Sequence, residues 1–219
     1  MINDRIEAFK SDIYDLSKDA KDIYLSHIRS IPPYLFIKDP GIETAFFDEI
    51  SKAFKVDKDA IIICGSSCTG YSISPDKLFN AIDKKYAETS LNKDKSDIDV
   101  AIVSKKLYQN LRHKIYKYTN GLNTKWNDNE YYPKKRNSQK ISIECNFYKY
   151  NYKGWFRPDF KPRGFEISQH STYEILKRTI KDLTGRKLSI AIYEEDFFLK
   201  DYNINNIKNI RYSLSEKVL

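Results

Sequence analysis

Three cysteines, three histidines, one methionine and the absence of any long apolar run set the first limits on this 219-residue chain. Cys64, Cys68 and Cys145 are too few for a disulfide framework. Cys64 and Cys68 flank a turn-like stretch, but no second Cys or His pair stands near them to complete a zinc site. His27, His113 and His170 are scattered and read as surface or capping residues rather than catalytic bases. No apolar run approaches the roughly 18 residues needed to cross a bilayer, and the opening Met1-Ile2-Asn3-Asp4-Arg5 lacks the character of a signal peptide. A Gly-x-x-x-x-Gly-Lys-[Ser/Thr] phosphate loop is also missing, which disfavours a P-loop nucleotidase. Secreted, membrane-spanning and zinc-ribbon proteins are thereby excluded, and a soluble, cytoplasmic globular protein without a membrane partner is expected.

What is present is a foldable composition, 41% hydrophobic and 31% charged, with a net charge of +8. The charge is concentrated. Residues 104–163 carry 15 Lys and Arg against 4 Asp and Glu, while each flanking region is close to neutral. Within this block Lys134, Lys135, Arg136, Lys140, Lys149, Lys153, Arg157, Lys161 and Arg163 alternate with Tyr131, Tyr132, Tyr148, Tyr150, Tyr152, Trp155 and Phe156. Cations neutralise phosphates and aromatic rings stack on bases, so the block suits a single-stranded nucleic acid or a polyphosphate. It also fits a solvated face in a chain rich in Lys, Asn and Tyr.

Hydrophobic spacing predicts helices over residues 3–30, broken near 17–19, and over 41–55 and 105–119. A further amphipathic helix is predicted over 171–183, and the tail after 193 is expected to be helical and peripheral. Strands are predicted over 60–64, 97–103, 141–147 and 188–193, from β-branched runs or alternation. Residues 71–96 and 122–139 read as loops. The order describes an α/β (α+β) protein, a small mixed sheet flanked by helices, with a helical segment at 1–40 and one compact unit over 41–219.

The chemistry-bearing pattern is a strand that runs into Gly65-Ser66-Ser67, followed by a second strand that opens with Asp97-Ile98-Asp99. Alternation puts Asp97 and Asp99 on one face, about 7 Å apart along the strand, while Ile98 and Val100 point into the core. Two carboxylates so placed repel unless a cation joins them, and both can ligate one divalent metal. Glycine lets the backbone approach an anion, and free N–H groups with a hydroxyl can hold phosphate oxygens. Metal plus phosphate site is the apparatus of phosphoryl or nucleotidyl transfer.

These residues resemble the nucleotidyltransferase superfamily of polymerase-beta type. The match runs over Ile62-Ile63-Cys64-Gly65-Ser66 and Ser96-Asp97-Ile98-Asp99-Val100-Ala101-Ile102-Val103, within residues 41–147. The resemblance implies that fold, an Mg²⁺ or Mn²⁺ cofactor and an NTP substrate. It calls for a third carboxylate on a later strand, for which Glu144 is the first choice and Glu194, Glu195 and Asp196 the second. Glu144 would share a second metal with Asp97 and Asp99. Ser66 and the backbone at Ser66-Ser67 would hold outer phosphates, and Lys134, Arg136, Arg157 or Arg163 would neutralise charge or guide the acceptor. The interval from Ser66 to Asp97 is longer than minimal members have, so residues 71–95 form an insertion, either a lid or a surface elaboration. The expected reaction moves a nucleoside monophosphate from an NTP to an acceptor hydroxyl. RNA, such as a tRNA end, or protein is the expected acceptor, as in toxin or phage-defence systems. The alternatives are a cyclic-oligonucleotide synthase and a catalytically inactive module that binds nucleotide or nucleic acid.

Overall fold

The computed structural model describes residues 2–91, 95–126, 142–168 and 172–215. Helix α1 (Ile2–Tyr14) buries Ile6, Phe9 and Ile13, one stripe of its surface. The break expected near 17–19 is a turn in which the Asp19 side chain accepts from the Lys21 N–H, starting α2 (Ala20–Tyr24), which runs on as a wider π turn over Leu25–Arg29. Pro32-Pro33 separates this from the short α3 (Tyr34–Lys38), and α4 (Glu43–Phe54) stops at Lys55, which adopts the left-handed conformation.

Strand β1 (Ile61–Cys64) enters a single helical turn, α5 (Gly65–Thr69), ended by Gly70 at φ 88°. The segment that follows contains α6 (Lys84–Thr89) and leads to β2 (Ile98–Val103). Ser104 caps α7 (Lys105–Tyr118) by accepting from the Leu107 N–H. Beyond α8 (Ile143–Tyr152) lies the two-residue strand β3 (Trp155–Phe156), then α9 (Tyr173–Thr184), β4 (Leu188–Tyr193) and α10 (Asp196–Ser215). The four strands form one mixed sheet in the order β1-β2-β4-β3, with β1 and β3 antiparallel to their neighbours and β2 parallel to β4.

Alternation along β2 decides which side of the sheet does what. Ile98, Val100 and Ile102 face the main core, built with residues of α4, α7 and α9. Asp99 and Ala101 face the other way. There Ala101 packs with Tyr193 and Leu199, so the first half of α10 covers part of that face and leaves the Asp99 end open.

Two expectations are corrected. Where a strand is expected over 141–147, the described residues form helix from Ile143: Ser142 accepts from the Cys145 N–H as an N-cap, and Ile143, Asn146 and Phe147 fall on one buried face. Alternation over seven residues cannot compete with a capped helix whose apolar residues recur at 143, 147 and 150. Nor is the tail peripheral. Ile207 and Ile210 share a core with Ile6, Phe9, Ile23 and Tyr24, and the Arg211 guanidinium donates to the carbonyls of Asp12, Ile13, Asp15 and Lys18 at 2.6–3.1 Å. These carbonyls at and beyond the end of α1 thereby find a cationic partner.

Candidate functional site

Asp99 lies between Cys64 of β1 and Ser189 of β4 in the sheet register. Asp97 stands just before β2, and both carboxylates open to solvent. The expected placement of the Gly-Ser turn is met at Gly65, whose φ is +59° and whose Cα presses on the second carboxylate: a Cβ there would lie 2.7 Å from Asp99 Oδ2. A side chain at position 65 would therefore strain the backbone and displace Asp99.

Ser66 and Ser67 part company. Ser66 lines the cleft with Asp99. Ser67 is fully buried, and its hydroxyl donates to the Asp97 carbonyl at 3.1 Å, so its side chain ties α5 to the start of β2 and is turned away from any ligand.

Three adjoining cavities meet at Asp99. One, of about 430 Å³, runs from Gly65, Ser66 and Asp99 to Trp155, Tyr202 and Asn206. A second, of about 490 Å³, joins Asp97 and Asp99 to Arg157, Lys177, Arg178 and Lys181, with Asp159 and Glu174 also on its wall. The third, of about 790 Å³, joins the same two carboxylates to Lys77, Lys84, Lys85 and Lys95, with Asp76, Asp83 and Glu88 also on its wall. Lys187 borders the last two. The result is a cleft with an anionic floor and a rim on which cations outnumber carboxylates. Crowding by protein in the cleft pushes the Asp99 carboxyl up to about 6, and the neighbouring Asp97 charge adds to this; the Ser189 hydroxyl and the Arg157 charge oppose it. Cys64 also borders the cleft, but burial pushes its thiol upward, away from a reactive thiolate.

Among the candidate cations, Arg157 lies in the cleft, where it also pairs with Asp159 at 2.8 Å. Arg163 borders none of the three cavities; its backbone is held by Lys125 and by the Tyr118 hydroxyl. Lys134 and Arg136 lie outside the described residues. Glu144 is not brought to the pair. It sits in the first turn of α8, takes the Tyr148 hydroxyl at 3.1 Å, and borders none of the three cavities. The later strand beside Asp97-Ile98-Asp99 is β4, which brings Ser189 there, with Lys187 just before it. Of the second choices, Glu194 accepts from Gln109 and Glu195 pairs with Lys105; with Asp196 they follow the far end of β4 from Ser189.

Sequence reasoning missed the rim. Lys177, Arg178 and Lys181 sit on one polar side of α9, legible as an i, i+1, i+4 spacing in an amphipathic helix, but nothing in the sequence says that α9 borders Asp97. It also missed how the insertion is held. Asp83 receives both guanidinium nitrogens of Arg186, at 2.7 Å on Nη1, and the Ser96 N–H at 2.8 Å. Burial alone would raise the Asp83 carboxyl, but these bonds outweigh it and hold it below the ordinary range. With Tyr71 paired to Ala81 and buried against Phe9, the described part of the insertion is a fixed wall of the cleft.

Two carboxylates could hold one hard divalent cation, since Mg²⁺ is commonly bound by one or two protein carboxylates with waters and substrate phosphates completing its shell. Among the described residues no cluster of three or more acidic, Cys or His side chains is arranged to hold a metal. Comparison with protein-family models, with curated proteins and with solved structures gives no match, so the site is read from its own geometry. No helix among the described residues is long and apolar enough to cross a membrane.

Proposed function

We propose that this chain is a divalent-metal-dependent nucleotidyltransferase with a two-carboxylate site. The observation that carries the reading is the seat of Gly65 on Asp99, which puts a Gly-Ser turn and an Asp-x-Asp strand at one point under a cationic rim. The order of strand, Gly-Ser, helical turn and Asp-x-Asp strand in one mixed sheet supports the nucleotidyltransferase fold.

Asp97 and Asp99 would hold Mg²⁺ or Mn²⁺, which when bound supplies charge neutralisation to a triphosphate. Gly65 leaves room for the phosphates, and Ser66 offers its hydroxyl to them. The insertion lysines, Lys77, Lys84, Lys85 and Lys95, offset phosphate charge on one side, and Lys177, Arg178, Lys181 and Arg157 do so on the other. An acceptor hydroxyl oxygen bonds to the α-phosphorus and loses its proton to water. The bond from that phosphorus to the bridging oxygen breaks, and pyrophosphate leaves. A cationic rim favours RNA as acceptor over a cationic small molecule.

A second reading, a non-catalytic nucleotide- or nucleic-acid-binding module, is favoured by one observation: Ser189, with Lys187 just before it, occupies the neighbouring strand where the superfamily resemblance calls for a third carboxylate. The test is label transfer from each of the four α-³²P NTPs with Mg²⁺ or Mn²⁺, with and without total RNA, beside the Asp97→Ala/Asp99→Ala protein. Label appearing on RNA, protein or a small product, and lost in the variant, supports the transferase and names the acceptor class. No transfer with any nucleotide, together with equal RNA retention by both proteins, selects the binding module.

A further inference from the structure

A fourth cavity, of about 760 Å³, shares no lining residue with the three that meet at Asp99. It is a groove between α7 and α8. Gln109, Arg112, His113 and Tyr116 line it from α7, at the spacing of one helix face, and Tyr148 and Tyr152 line it from α8. Phe147 and Phe198 contribute apolar surface, and Gly154 is required beside them, because a Cβ there would lie 2.3 Å from the Phe198 ring.

Two features single the groove out. Tyr116 and Tyr152 are open, 58% and 95% exposed, and Tyr148, 41% exposed, also packs on Phe147 and Trp126. Single exposed rings are ordinary on a protein surface, but three around one groove form a stacking surface. The second feature is charge. Helix α7 carries Lys105, Lys106, Arg112, Lys114 and Lys117 and no acidic residue, and α8 and its end add Lys149 and Lys153. One carboxylate lines the groove, Glu194, which accepts from the Gln109 amide at 3.3 Å.

We infer that this groove binds single-stranded nucleic acid, with bases stacked on Tyr116, Tyr148 and Tyr152 and a phosphate met by Arg112, the cation in its lining. Open aromatic faces interleaved with cations are the chemistry by which single strands are held without sequence readout. An acidic peptide would use the cations but leave the rings without a stacking partner. The inference stands independently of the transferase reading, since it uses none of the residues of the Asp97–Asp99 cleft.

The test is fluorescence anisotropy of labelled 15-nucleotide oligo-U and oligo-dT over a salt series, with wild type, Tyr116→Ala, Tyr152→Ala, Arg112→Ala and Asp97→Ala/Asp99→Ala. Tyr116 and Tyr152 are exposed, so their variants keep the fold, which circular dichroism checks. Each tyrosine variant should bind about tenfold more weakly, the scale of one lost base–ring stack. Arg112→Ala should reduce the slope of log K against log salt by about 0.7, and the aspartate variant should bind as wild type does. Wild-type affinity in both tyrosine variants would overturn the inference. So would oligonucleotide binding lost only in the aspartate variant, which would place the strand in the carboxylate cleft and leave the transferase reading standing. Equal dependence of a poly-Glu peptide on the two tyrosines would also overturn it, making the groove a protein site.

Discussion

The Cα of Gly65 rests on the carboxylate of Asp99, so closely that a methyl group at position 65 would lie 2.7 Å from Oδ2. Gly65→Ala therefore carries two penalties, left-handed backbone at φ +59° and displacement of Asp99. A loss of about 1–3 kcal/mol is expected, and label transfer should fall as far as in the aspartate variants. Chemical denaturation and the transfer assay on one preparation check this. Wild-type transfer in Gly65→Ala would remove the turn from the site.

Asp99 predicts a pH dependence of stability. Its folded pKa, about 6, lies above the ordinary value of 3.8, so the folded protein binds this proton more tightly than the unfolded chain does. The contribution of Asp99 is therefore most favourable below about pH 4, declines as pH rises to about 6, and stays low above that. Asp99→Asn removes the penalty: at pH 7 it should melt a few degrees higher, worth about 1 kcal/mol after solvent screening in the open cleft, and the two proteins should converge below pH 4. Millimolar Mg²⁺ at pH 7 should raise the melting temperature of wild type and not of Asp99→Asn. Thermal melts in the two conditions read both effects.

The Asp83–Arg186 pair has the opposite sign. Asp83 is held below its ordinary range, so its stabilisation is present above about pH 4 and is lost as pH falls below that value. The two side chains are only 16% and 11% exposed. Arg186→Met leaves the carboxylate buried without its partner and should cost about 3 kcal/mol, whereas Asp83→Leu/Arg186→Met should cost less than the sum of the single changes. Hydrogen exchange should increase first at Tyr71–Ile82, the wall that this pair holds in place.

Removing the α9 cations tests the cleft as a polyanion site. Lys177→Ala/Arg178→Ala/Lys181→Ala should weaken NTP binding about tenfold or more at low ionic strength and flatten its salt dependence, with little change in melting temperature. Titration with a fluorescent NTP analogue over a salt series measures it. Unchanged affinity would assign the phosphates to the insertion side alone.

Much of this protein can be read along the chain because neighbours in sequence decide it. Strands β1, β2 and β4, helices α4, α7 and α9, and the shared face of Asp97 and Asp99 follow from β-branched runs, helical spacing and period-two alternation, all properties of a few adjacent residues. Where two local signals competed, at 141–147, capping by Ser142 and spacing through Phe147 prevailed over a short alternation. The tertiary structure alone decided what surrounds the carboxylates. Pairing of β2 with β4 set Ser189 beside Asp99 and left Glu144 elsewhere, and the packing of α9 and the clamp of Asp83 by Arg186, 103 positions away in the chain, built the cationic rim. Such neighbours are chosen by long-range burial and charge pairing, which no local pattern encodes.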